Sequence, residues 1–141
     1  MQIMMPQMGT RPLIGVDAPE TILVIDDEQS FCEVVAEILL NDGYDVHKAF
    51  NAEQAERILE EVQPGLIILD IMMPDTDGLT LVRRLRASSR FADTPIIISS
   101  AKYLQEDKTA AMESGANEFL SKPFSASDLR GTIQELLASA R

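Results

Sequence analysis

The sequence predicts an α/β fold, a doubly wound parallel sheet of five strands, each followed by a helix. Three observations carry that prediction. Five short apolar runs begin 22 to 28 residues apart from Thr21 onward, the interval that one strand and one crossover helix occupy. The runs at 21–25, 66–70 and 94–99 are almost uninterruptedly apolar, as strands covered on both faces are. Between the runs, apolar residues recur at three and four, the spacing of helices with one buried face.

Taken in order, TILVI (21–25) forms the first strand. Phe31, Val34, Val35, Ile38 and Leu39 form the apolar stripe of the first helix, which Gly43 stops by supplying a left-handed residue. YDVHKA (44–49) is more polar and suits a sheet edge, with His47 at the surface. Asn51 caps the second helix with Gln54 three residues on, and Ile58, Leu59 and Val62 form its stripe. LIILD (66–70) is the third strand, followed by a helix in which Leu81, Val82 and Leu85 share a buried face. TPIIIS (94–99) is the fourth, and its helix ends at Gly115. NEFL (117–120) is the fifth. Ser125 and Asp128 then have the spacing of a capping box, and Leu129, Ile133, Leu136 and Leu137 run down the last helix.

A chain of 141 residues has room for one full domain, assigned to residues 21–141. Residues 1–20 hold four of the seven Met and three of the seven Pro, without strand or helix periodicity, and are expected to form a flexible N-terminal arm. A plain terminal arm and a partner-binding tail both fit it. With 23 acidic against 12 basic residues the net charge is −11, which disfavours nonspecific attraction to nucleic acid or an anionic membrane. No apolar run approaches the roughly 18 residues of a membrane span, and the start lacks the pattern of a signal peptide. The single Cys32 reads as a small core residue, and a cytoplasmic location is expected.

In an open parallel sheet, ligands bind beyond the carboxyl ends of the strands. Those ends read Asp26-Asp27-Glu28, Asp70, Ser99-Ser100 and Lys122-Pro123. Capping of the first helix would explain Asp26 or Asp27 singly, but packing gives no reason for Asp70 and Lys122 to join them. Three gathered carboxylates repel one another and lose hydration, so the arrangement calls for a cation. Oxygen ligands of this kind suit Mg²⁺.

These residues carry a resemblance. Asp26-Asp27, the stretch Asp70-Ile71-Met72-Met73-Pro74-Asp75-Thr76-Asp77-Gly78, Ser100-Ala101 and Lys122-Pro123-Phe124 make the chain from about Thr21 to Ser139 resemble a bacterial two-component response regulator receiver domain. Asp70, Ser100 and Lys122 stand at intervals of 30 and 22, each at the end of a predicted strand. The resemblance implies a flavodoxin-like (βα)5 fold with strand order 2-1-3-4-5. It also implies a phosphoacceptor role for Asp70, fed by a histidine kinase or histidine phosphotransfer protein. Asp27, Asp70 and the Met72 carbonyl would bind Mg²⁺, with Asp26 holding the ion through water. Lys122 would pair with a phosphoryl oxygen. Ser100 and Phe119 would form the switch, moving the face made by the fourth helix, fifth strand and fifth helix. Ser stands at position 100 where Thr is commoner, and Phe119 lacks the hydroxyl of the frequent Tyr. Ser99 points the opposite way along its strand. Met72 and Lys102 would sit beside the site, and the resemblance suggests a cis Lys122-Pro123 bond, which sequence alone does not establish.

The same resemblance implies a signalling domain and not a turnover enzyme, with self-catalysed phosphotransfer and autodephosphorylation only. Its output would be a downstream protein or a fused output domain, with a homodimer through that same face as a further option. No helix-turn-helix or basic patch supports direct DNA binding. Three other readings meet features of this sequence that oppose them. A haloacid dehalogenase-type phosphatase needs a second Asp two residues after the nucleophile, where this chain has Met72. A flavodoxin-like FMN binder needs phosphate-holding Ser, Thr or Gly in the first loop, where this chain has Asp26-Asp27-Glu28. A receiver fold used only for binding would not need the full set of charges.

Overall fold

The computed structural model describes residues 19–101 and 104–140. The expected arm therefore lies outside the described residues apart from Pro19 and Glu20, and so does Lys102. Ten elements alternate along the chain: β1 (Thr21–Ile25), α1 (Gln29–Asn41), β2 (Asp45–Ala49), α2 (Ala52–Glu61), β3 (Leu66–Leu69), α3 (Gly78–Ala87), β4 (Ile96–Ser100), α4 (Gln105–Ser114), β5 (Glu118–Ser121) and α5 (Ala126–Ser139). All pairings are parallel, in the order β2-β1-β3-β4-β5. The predicted fold class and strand order are both found. Among the described residues no helix is long and apolar enough to cross a membrane.

The apolar interior divides at the sheet. Ile22, Val24, Ile68 and Ile97 turn one way, against Cys32, Val35 and Leu39 of α1 and Leu129, Ile133 and Leu137 of α5. Leu23, Ile25, Ile67 and Ile98 turn the other way, against α2, α3 and Ala111 of α4. Strand alternation assigns each residue to its side, and parallel crossovers supply helices to both. β2 is the polar edge strand the sequence suggests. Its His47 is half-buried, 3.6 Å from Asp45.

The expected punctuation is present, with two adjustments. Asn51 accepts from Gln54 N (2.8 Å), while Gln54 reaches back to Phe50 N (2.8 Å). Ser125 accepts from Asp128 N at 2.9 Å. Gly43 and Gly115 take the left-handed conformation after their helices, at φ 95° and 116°. Val34, expected on a buried stripe, is 58% exposed. Cys32, Val35, Ala36 and Leu39 already fill the arc that the sheet covers, so Val34 falls beyond it. Val62 lies just past α2 in extended conformation (φ −118°), because Pro64 two residues on disfavours further helix.

Candidate functional site at the carboxyl ends of the strands

Three strand ends converge on one rim. The Asp26 backbone N–H continues the β1–β2 ladder to Ala49 O (3.0 Å), and Asp70 N–H continues β3 onto Ile25 O (3.0 Å). Lys122 N–H donates to Ser100 O (2.8 Å), so β5 carries the lysine past the end of β4. The ladder hydrogen bonds thus set the side chains side by side.

Lys122 Nζ donates to Asp26 Oδ2 at 2.7 Å and to Asp70 Oδ2 at 3.4 Å. Asp26 is 1% exposed and Asp70 8%. Each carboxylate uses its second oxygen locally, Asp26 Oδ1 accepting from Glu28 N (3.0 Å) and Asp70 Oδ1 from Met72 N (3.2 Å). Burial raises the Asp70 carboxyl above its ordinary range, against the Met72 N–H and Lys122, which favour the charged form, while Asp26 adds to the rise. Burial alone would lower the Lys122 ammonium; the hydrogen bond and charge of Asp26, and then Asp70, outweigh it and raise it.

Asp27 completes an acidic group: one carboxylate oxygen from each of Asp26, Asp27 and Asp70 lies within 4.8 Å of the others. Asp26 and Asp70 are buried, while Asp27 is exposed. An all-oxygen donor set of this charge fits a hard divalent cation that keeps part of its water shell. Beside it opens a cavity of about 510 Å³, lined by Asp27, Ile71, Met72, Met73, Pro74 and Asp77. The Met72 side chain is exposed.

Ser100 is fully buried at the end of β4, paired in register with Ser121. Ser99 points to the opposite side with Leu120, as alternation requires, and its Oγ is buried with no partner among the described residues. Phe119 is half-buried and packs on the α2–α3–α4 side of the sheet. The Lys122-Pro123 bond is cis.

The sequence names Cys32, Gly78, Asp75 and Phe31, but not the contacts they make around the site. Cys32 Sγ donates to Asp26 O at 3.3 Å, and burial, with Asp26 adding, pushes its thiol up to about 12. Gly78 lies so close to the chain that a Cβ would strike the Asp70 carbonyl, which is why the loop closes only with glycine there. Asp75 accepts from Ala52 N and Glu53 N at 3.3 Å each, tying the β3–α3 loop to the start of α2. Phe31 presents its ring to Lys122, with Nζ 4.0 Å from the centroid. Asp75 stands in the stretch that carries the resemblance, which names no partner for it.

Comparison with known proteins now decides the family. The model of the response regulator receiver domain matches residues 22–134. The chain belongs to that family. It is 37% identical over 118 residues to the phosphate regulon transcriptional regulatory protein PhoB of Pseudomonas aeruginosa, covering 84% of this chain and 52% of that protein. The DNA-binding dual master transcriptional regulator RpaA of Synechocystis is 36% identical, with 82% and 48% covered. This receiver domain thus spans about half the length of these curated relatives. Among solved structures, the receiver domain of Francisella response regulator 1452 superposes with a TM-score of 0.80 at 30% identity, covering 86% of this chain and 99% of that one. The Vibrio cholerae chemotaxis protein CheY4 gives 0.81 at 29%, with 84% and 99% covered.

Proposed function

We propose that Asp70 is the phosphoacceptor of this receiver domain, with the phosphoryl group coming from a phosphohistidine on a histidine kinase or phosphotransfer protein. A carboxylate oxygen of Asp70 attacks phosphorus as the phosphorus–nitrogen bond breaks. The electron pair stays on the imidazole, which takes up a proton, and Asp70 becomes an acyl phosphate. The observation that carries this reading is the convergence of two nearly buried carboxylates and one ammonium, with Lys122 2.7 Å from Asp26 and 3.4 Å from Asp70.

Asp27, Asp70 and the Met72 carbonyl would hold Mg²⁺, with Asp26 reaching it through water. The ion would offset the charge of the carboxylates and of the incoming phosphoryl group. Lys122 supplies a positive charge to a phosphoryl oxygen, and Ser100 supplies a hydroxyl from the end of β4. Phe119 repacks with it, shifting the face of α4, β5 and α5 toward a downstream protein or an attached output domain. Residues 21–141 are the folded unit on this reading, in a cytoplasmic protein.

The test is labelling with acetyl phosphate and Mg²⁺. Wild type takes up label that alkali or hydroxylamine releases, and Asp70→Asn takes up none. Undiminished labelling of Asp70→Asn would refute the assignment.

A further inference from the structure

We infer that Phe31 is a positioning residue for Lys122: its ring holds the ammonium in the site by a cation–π contact. The inference rests on the phosphoacceptor reading above. Two independent contacts define the arrangement. Lys122 Nζ lies 4.0 Å from the Phe31 ring centroid, while the same ring meets Phe124 edge-to-face, with centroids 5.8 Å apart and planes at 85°.

The ring is held from both directions. Its own helix is anchored to the rim, because the next residue, Cys32, donates its N–H to Glu28 O (3.1 Å) and its thiol to Asp26 O (3.3 Å). Phe124 follows the cis Lys122-Pro123 bond, so lysine and supporting ring share one short segment.

The chemistry needs a neighbour of this type. Asp26 and Asp70 already offset the ammonium's charge; a third carboxylate in place of the ring would tie it more firmly to the protein, and a carbonyl or hydroxyl would take a further proton that it must offer a phosphoryl oxygen. An aromatic face attracts the charge and accepts none of those protons in a conventional hydrogen bond. Lys122 is 15% exposed, so the contact is partly desolvated and belongs to the stronger range of such pairs. A leucine at position 31 would fill much of the volume and supply none of the attraction.

The experiment uses the whole chain and acetyl phosphate, a donor too small to need a protein-docking surface. In carbon-13-correlated spectra, assigned with Lys122→Met, the Lys122 ε-methylene protons of wild type are shifted upfield by the ring. Phe31→Leu returns them toward free lysine, and Phe31→Tyr keeps them shifted. Phe31→Leu lowers the maximal phosphorylation rate about three- to ten-fold. Its half-saturating donor concentration changes less, and Phe31→Tyr recovers at least half the loss. Unshifted Lys122 signals in wild type overturn the inference without any variant having to fold. So does Phe31→Leu labelling at the wild-type rate, or a loss seen only with a protein donor, which would make Phe31 a docking residue. Asp70→Asn separates the two readings: if it still labels, the phosphoacceptor reading fails; if it does not and Phe31→Leu matches wild type, only the role of Phe31 fails.

Discussion

Among the described residues Lys122 is the amine that faces two nearly buried carboxylates, and its removal leaves Asp26 without its closest counter-charge there. Breaking such a pair by deleting one partner costs about 3–5 kcal/mol. Lys122→Met is therefore expected to lose stability near the lower end of that range in urea unfolding without divalent cation, with a smaller loss in 10 mM Mg²⁺. Cys32 gives a pH prediction of definite sign. Its thiol moves from 9.0 in the unfolded chain to about 12 in the fold, through burial first and Asp26 second. Protonated Cys32 thus contributes stability below pH 9 that is lost as pH rises toward 12. The advantage of wild type over Cys32→Ala should shrink between pH 8 and pH 11, measured by urea unfolding at each pH. An unchanged difference would contradict the buried, neutral thiol. At this scale the sequence was most legible where chemistry and position coincided. Asp26, Asp70 and Lys122 are charges at the ends of apolar runs, where only a site explains them. Phe31 was not legible as a lysine partner, because helical spacing places any aromatic there in an apolar stripe.

Arg86 near the end of α3 shows how elements are fastened across the chain. Its guanidinium donates to the carbonyls of Gly115 (2.9 Å), Phe91 (2.8 Å) and Thr94 (2.7 Å) and to Asn117 Oδ1 (2.8 Å). Asn117 Oδ1 in turn accepts from Ile96 N at 2.8 Å, so one side chain joins the end of α4 to the starts of β4 and β5. Arg86→Met leaves these acceptors without their charged donor, a loss of about 2–4 kcal/mol. Amide exchange should rise first at Ile96 and Asn117 and stay low at Asp26 and Asp70. Uniform acceleration across the sheet would mean that Arg86 has only a global effect. Helices and strands themselves were readable from spacing, caps and glycines. The places where reading fell short, Val34 and Val62, depend on how wide an arc the sheet covers and where a proline ends a helix, neither of which periodicity measures.

For the molecule as a whole, a net charge of −11 and an acidic group that could hold a metal ion predict a response of stability to divalent cations. A cation that binds only the folded state stabilises it by mass action, about 1.4 kcal/mol at ten times the dissociation constant. That corresponds to a rise of about 3–6 °C in Tm for a domain of this size. Calorimetry in 10 mM MgCl₂ is expected to show it, against a smaller change in NaCl of equal ionic strength. Asp27→Asn should reduce the magnesium-specific part. Equal shifts in the two salts would leave only general screening of charge.

The sheet also keeps its two apolar sides apart. Phe31, Leu120 and Phe124 belong to the side backed by α1 and α5, whereas Phe119 and Met73 belong to the other. Among the described residues the two buried clusters are divided by the sheet, and the proposed output face draws on both, α5 lying on the first side and α4 on the other. Side-chain errors in one should sum with errors in the other and not compound them, so a pair such as Leu39→Ala in α1 with Leu85→Ala in α3 behaves as two separate injuries.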